Sequence, residues 1–285
     1  MLLNCFNAEI VAIMWIDTHC HFDVSDFDQD RVEVAKQAKA AGVEAIVVVA
    51  YLAQHWPNLL AVCASINEPK LLPVLGLHPC YIAEHQHEHL LQLEQYLQQR
   101  ACIAIGEIGL DTYVADIKGQ ELYQKQQDFF SAQLQLAKQY HKPVILHVRK
   151  AHADVFKILR QQRFDGGGIV HAFSGGVEEA KMYAKLGFKL GIGGSVTYEQ
   201  AKRLHSVIAA MPIESLVIET DAPDMIPQPY RNPNAHFTRN SPAYLPCIAQ
   251  ALANSKQLTL EQLAPILWQN SCQALHLSLQ SNGFN

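Results

Sequence analysis

Six short stretches of the chain carry side chains that bind divalent cations. They are Asp17-Thr18-His19-Cys20-His21, Gly76-Leu77-His78-Pro79, Gly106-Glu107-Ile108-Gly109-Leu110-Asp111, His147-Val148-Arg149, His171-Ala172-Phe173-Ser174-Gly175 and Glu219-Thr220-Asp221-Ala222-Pro223. In extended backbone, residues i and i+2 point the same way, so His19 and His21 can grip one ion together. Neutral imidazole and carboxylate oxygen suit Zn, Mn and Co, and hold Mg less well. His19, His21, His147 and His171 with Glu107 and Asp221 offer more ligands than one tetrahedral ion takes. Two divalent ions (Zn, Mg or Mn) sharing a carboxylate fit better, with Glu107 as the expected bridge. Such a pair acidifies a water and clamps the attacking and leaving oxygens of a phosphoryl centre.

Each stretch has a plainer reading taken alone. An isolated His-x-His is a weak signal. His147 alone would be a satisfied core or rim histidine, Ser174 an N-cap and Asp221 a turn former. What changes the weighting is position, because each stretch follows a short apolar run. Two features are set aside. His85, His87 and His89 form a second histidine run, but within Glu84-His85-Gln86-His87-Glu88 they read as a solvated helix face, so His85→Ala is expected to be silent. Cys20 alternates away from its flanking histidines and reads as a packed small residue.

The elements that must position these residues alternate along the chain. Apolar, β-branched runs are expected as strands at 13–17, 45–50, 71–76, 101–107, 143–147, 168–171, 188–192 and 216–219. Helical spacing follows each of the first seven, at 28–41, 54–66, 88–100, 119–140, 153–161, 177–186 and 198–209, and two further helices close the chain at 242–254 and 259–275. Continuous apolar strands alternating with helices imply a parallel sheet covered on both faces. Eight such units imply an α/β fold of one domain, a (β/α)8 TIM barrel over residues 14–280, with residues 1–13 an extension outside it. In such barrels chemistry sits at the C-terminal strand ends, where all six stretches fall. An open doubly wound sheet is the alternative, weakened by the lack of a Gly-x-Gly-x-x-Gly turn after the first strand.

Composition narrows the function classes. Of 285 residues, 49% are hydrophobic and 17% charged, which excludes wholesale disorder. The 22 basic against 27 acidic residues give a net charge of −5, so a broad polyanion-binding surface is not expected, although a local basic groove is compatible. No uncharged apolar run approaches the roughly 20 residues of a membrane span. The seven cysteines are scattered, with no Cys-x-x-Cys pair, which fits a reducing, cytoplasmic setting. A monomer with no membrane partner is expected.

Taken together, the stretches IDTHCHFD (16–23), GLHP (76–79), GEIGLD (106–111), a Gln127/Gln133/Leu136-Ala137 spacing before KPVILHVR (142–149), HAFSGG (171–176), GIGGSVTY (191–198) and ETDAPD (219–224) resemble the TatD family of metal-dependent deoxyribonucleases, among the amidohydrolase-like barrels, and within it the YjjV-like subgroup. The resemblance runs in order from about residue 14 to 275. It implies that His19, His21, Glu107 and Asp221 hold one ion, and Glu107, His147 and His171 the other. It makes Asp221 and Glu107 the catalytic carboxylates, with Asp221 taking the proton of the attacking water. It implies that Arg149 and Arg239 face a substrate phosphate, that His78 hydrogen-bonds substrate or a water held by an ion, and that Glu219 orients a ligand. One departure stands out: the family often has Tyr or Phe after Asp-x-Pro, where this chain has Asp224, and that added negative charge opposes a polyanion unless an ion or Arg compensates.

The activity so implied is ester hydrolysis, above all 3′–5′ exonucleolytic phosphodiester cleavage of single-stranded DNA, or of a small phosphoester, by a water activated between two metal ions. A metal-dependent amidase or lactonase is the alternative. Relatives of that kind commonly bridge their ions with a carboxylated lysine at the fourth strand; here that place holds Glu107, and no lysine lies in 104–111. A non-catalytic metal binder is disfavoured, since every ligand is present.

Overall fold

Short runs of Val, Ile and Leu form eight strands: β1 (Trp15–Cys20), β2 (Val43–Val49), β3 (Lys70–Leu75), β4 (Ala104–Asp111), β5 (Val144–Arg149), β6 (Gly168–Val170), β7 (Phe188–Ile192) and β8 (Leu216–Ile218). The structure is a computed structural model and describes residues 13–114 and 119–278. The expected extension over 1–13 lies outside these residues except for Ile13, which packs against the core.

The strands pair in parallel, in sequence order from β1 to β8. Between and after them run α1 (Arg31–Ala40), α2 (Trp56–Ser65), α3 (His87–Gln98), α4 (Gln120–Gln139), α5 (His152–Gln161), α6 (Val177–Lys185), α7 (Lys202–Ala210), α8 (Leu245–Lys256) and α9 (Leu260–Ala274). This is the single-domain (β/α)8 barrel expected from the sequence. Strand alternation divides the core. Ala45, Val47 and Val49 of β2 join Leu72, Val74, Ala104, Ile145, Ile169 and Val217 in one buried cluster, which plugs the barrel. Ile46 and Val48 belong to the larger cluster that the helices cover. No helix among the described residues is long and apolar enough to cross a membrane.

β1 and β8 are joined by side chains and loop backbone. The Thr18 hydroxyl donates to the Ile218 carbonyl at 3.0 Å, and the Asp221 amide donates to the His19 carbonyl at 2.9 Å. Buried Asp17 accepts from the Thr220 amide at 2.9 Å, and burial pushes its carboxyl up to about 7. Three strands run further than expected: β1 to Cys20 rather than residue 17, β4 to Asp111 rather than residue 107, and β5 to Arg149 rather than residue 147. β4 continues because it keeps pairing with β5, Gly109 against His147 and Asp111 against Arg149. Only glycine permits this at 109, where φ is 143° and a Cβ would stand 2.0 Å from the His147 carbonyl oxygen.

Candidate metal centre

The strand ends bring His19, His21, His78, Glu107, His147, His171 and Asp221 to one place. Glu107, at the middle of β4 and 1% exposed, lies at its heart. Its Oε2 faces the β1 histidines, 3.3 Å from Nε2 of His19 and 3.8 Å from Nε2 of His21. Its Oε1 faces the others: 2.8 Å from Nδ1 of His147, 3.3 Å from Nε2 of His78 and 3.9 Å from Nε2 of His171. Asp221 spans the same division. Its Oδ1 lies 3.6 Å from His19 and 3.5 Å from His21, and its Oδ2 lies 3.7 Å from His171.

The outer nitrogens of these rings are held by further groups. Nδ1 of His21 lies 2.9 Å from the Val49 carbonyl. Nε2 of His147 lies 2.8 Å from Oδ2 of Asp111, whose other oxygen accepts from the amides of Tyr113 and Val114. Nδ1 of His171 lies 2.9 Å from Oε1 of Glu219, which also accepts from the Ala172 amide. Glu219 fits beneath Gly191, where a Cβ would come within 2.3 Å of its carboxylate. Two buried glutamines of α4 set the strand ends: Gln133 accepts from the Leu77 amide beside His78, and Gln126 accepts from the Asp111 amide.

Charge balance follows from these contacts. Burial alone would raise the Glu107 carboxyl, but the imidazoles of His78, His171 and His19 outweigh it and hold it well below the usual range. Burial would lower His147, yet its bonds to Asp111 and Glu107 hold it well above the ordinary value. Burial is likewise overcome at His171, which Glu219, Asp221 and Glu107 raise to about 10. His19 goes the other way, lowered by burial and by His171, on which it stacks at 3.6 Å.

The donor set fits divalent cations. Both ring nitrogens of His19 are buried with no hydrogen-bond partner among the described residues, an arrangement that costs free energy unless something binds there. His19, His21 and Glu107 offer three ligand atoms within 4.8 Å of one another, and so do His19, His171 and Glu219. Imidazole nitrogen with carboxylate oxygen is the ligand class of zinc, manganese and cobalt.

Two cavities flank the centre. One, about 590 Å³, reaches His147, His171 and Asp221 and is lined by Arg149, Lys202 and Arg203. The other, about 660 Å³, reaches His21 and His78 and is lined by Asp23, Asp26, Asp28 and Asp224. Arg149 is exposed with its guanidinium 3.7 Å above the Tyr113 ring. Arg239 is not brought to either cavity. Its guanidinium pairs with both oxygens of Asp30 at 2.8 and 2.6 Å, donates to the Asp26 carbonyl and lies over Phe27. Asp30 sits in the turn before α1, and no local pattern links it to a residue 209 positions away.

His85 corrects the expectation of a solvated face. It precedes α3, is fully buried, packs its ring beside Phe129 and lies with Nε2 2.8 Å from the His78 carbonyl. His87 is exposed with its ring stacked on Phe129 at 5.7 Å, and His89 is half-buried. Cys20 is buried, its thiol 3.4 Å from the Ala222 carbonyl, as a packed small residue should be. Asp111, Lys202 and Arg203 were not singled out by the sequence. Asp111 carries a visible signal as the last residue of GEIGLD; the α7 cations carry none, since exposed basic residues at a helix start are common.

The comparisons with known proteins agree with this picture. The model of the TatD related DNase family matches residues 16–276. An uncharacterized metal-dependent hydrolase of Haemophilus influenzae is 36% identical over 263 residues, 91% of this chain and 98% of that protein. The uncharacterized metal-dependent hydrolase YjjV of Escherichia coli K12 is 41% identical over 213 residues, 74% of this chain and 80% of that protein. The crystal structure of this E. coli TatD homolog superposes with a TM-score of 0.85 at 34% identity, covering 94% of this chain and all of that one.

Proposed function

Since the chain belongs to the TatD-related family of metal-dependent hydrolases, we propose that it is a two-metal phosphodiesterase that removes nucleotides from the 3′ end of single-stranded DNA. The observation that carries this is the division of Glu107, with one oxygen toward His19 and His21 and the other toward His147 and His171, beside a cavity lined by Arg149, Lys202 and Arg203. His19, His21, Glu107 and Asp221 would hold one ion, and Glu107, His147 and His171 the other. When bound, the ions acidify water and withdraw charge from the phosphoryl oxygens.

The chain's own groups supply the rest. Arg149, with Lys202 and Arg203 behind it, draws the phosphodiester into the cavity and opposes its charge. Asp221 lines that cavity and accepts the proton of the attacking water. As the new P–O bond forms and the bond to the retained strand's 3′ oxygen breaks, Asp221 returns the proton to that oxygen. His78, with Nε2 turned toward Glu107, can donate to a substrate oxygen. Asp111 and Glu219 keep His147 and His171 in one orientation throughout.

The test pairs elemental analysis with hydrolysis of a 5′-labelled single strand. Two ions per chain, and a ladder of 3′ shortening lost with EDTA and in Asp221→Asn, supports the proposal. Two ions with no cleavage of any phosphoester overturns it and directs the search to amides and lactones.

A further inference from the structure

The two cavities beside the centre have opposite character. The first presents three cations, and its one carboxylate is Asp221. The second has four aspartates among its lining residues and neither lysine nor arginine. Arg31 answers one of these, pairing with Asp28 at 2.7 Å. Asp26 and Asp224 are exposed and have no ion-pair partner among the described residues. Asp23 is different again. It is 3% exposed, lines the cavity, and its Oδ1 has no hydrogen-bond partner among the described residues. A buried carboxylate oxygen without a donor is costly, and a ligand hydroxyl or amine would satisfy it. Beside it stand the rings of Tyr51 and Tyr81, with centroids 5.0 Å apart, Tyr81 37% exposed.

An aromatic wall takes a flat base, because every base has a face to stack. The aspartates take a hydrogen-bond donor and repel a phosphate. On a nucleic acid only an unphosphorylated end meets both demands. Resting on the strand-end hydrolysis argued above, we propose that this acidic cavity seats the terminal nucleoside and selects a strand whose end carries a free hydroxyl. The base lies against Tyr51 and Tyr81, and the 3′ hydroxyl donates to Asp23. The retained strand, with its further phosphates, lies in the cavity of Arg149, Lys202 and Arg203. A strand continuing through the acidic cavity would bring its next phosphate against Asp26 and Asp224, so cleavage is confined to the end.

The experiment compares 5′-labelled single strands of one sequence ending in a 3′ hydroxyl or a 3′ phosphate, with Mn present. The hydroxyl end should be cut at least about tenfold faster. The double variant Asp26→Asn/Asp224→Asn, at two exposed positions, should narrow that ratio, and Asp23→Asn should raise KM for the hydroxyl end. Equal rates on both ends, or a ratio unmoved in the double variant, overturns the assignment. If neither strand is cut, strand hydrolysis itself fails, and the cavity is judged on small phosphodiesters that share one arm and differ in the other. A preference for aminoethyl over ethyl over carboxyethyl then upholds a cavity that rejects anions; indifference to that charge overturns it.

Discussion

The histidine pair of β1 and the pair made by one histidine within β5 and one just after β6 face the same two carboxylates, but they are braced by different means. His147 and His171 each have a carboxylate at the outer nitrogen, Asp111 at 2.8 Å and Glu219 at 2.9 Å. His21 has a backbone carbonyl there, at 2.9 Å, and among the described residues the outer nitrogen of His19 has neither a hydrogen bond nor an ion pair. A carboxylate brace fixes the ring's tautomer and raises its basicity; a peptide carbonyl fixes the tautomer with far less charge. The difference shows where each half can be broken. The β5–β6 half depends on side chains that one substitution removes, whereas the β1 half depends on main chain and on the packing of one ring over another.

The largest effect should come from the residue that serves both halves. Glu107→Ala removes both carboxylate oxygens, so occupancy should fall at both ion positions and hydrolysis by on the order of a thousandfold. Metal content by mass spectrometry alongside turnover checks this. A variant that kept two ions at normal affinity would mean that Glu107 is not shared and that the halves are independent. Next comes Asp221→Asn, which keeps the shape of the side chain but cannot take a proton from water. Here kcat should fall by about a hundredfold or more with KM little changed.

The comparison is sharpened by substitutions that touch one half only. Asp111→Asn and Glu219→Gln should each weaken one ion by about 10–100-fold and leave the other bound. Isothermal titration with Mn on the two variants would resolve this as one step lost and one retained. If both steps weakened together, the bracing would belong to the whole centre.

Much of this was legible in the sequence. The barrel was, because each strand is a self-contained apolar run and each helix carries its own period. The ligands were too, because strand ends in a barrel converge and the residue types there are chemically distinct. What stayed hidden depends on distant packing or on where strands stop. Asp111 becomes the brace of His147 only because Gly109 lets β4 run past residue 107. Arg239 looks available for a phosphate until the fold sets it against Asp30. The basic cavity needs Lys202 and Arg203 from α7 beside Arg149 from β5, and no spacing links them. His85 lies among Glu84, Gln86 and Glu88 and reads as exposed; its burial is made by Phe129 of α4.

His85 also yields the smallest and most specific prediction, on a histidine that belongs to neither half. Its ring holds the carbonyl of His78, whose side chain reaches Glu107, so it acts on the centre through one backbone link. Burial lowers its pKa from an ordinary 6.5 to about 4, so the folded protein holds it neutral. An unfolded chain binds that proton at higher pH than the folded one. The stabilisation is therefore complete above pH 6.5 and is lost as the pH falls toward 4. His85→Phe should flatten that part of the acid limb of stability, followed by urea unfolding between those limits. At neutral pH the variant should cost about 1 kcal/mol, because the His78 carbonyl loses the ring donor and keeps only the Tyr81 amide. A few-fold rise in KM should accompany it, with both ions still bound. An acid limb identical to that of the native chain would show that protonation of His85 does not limit the fold. An unchanged KM would show that the His78 backbone is held well enough by Gln133 and the strand alone.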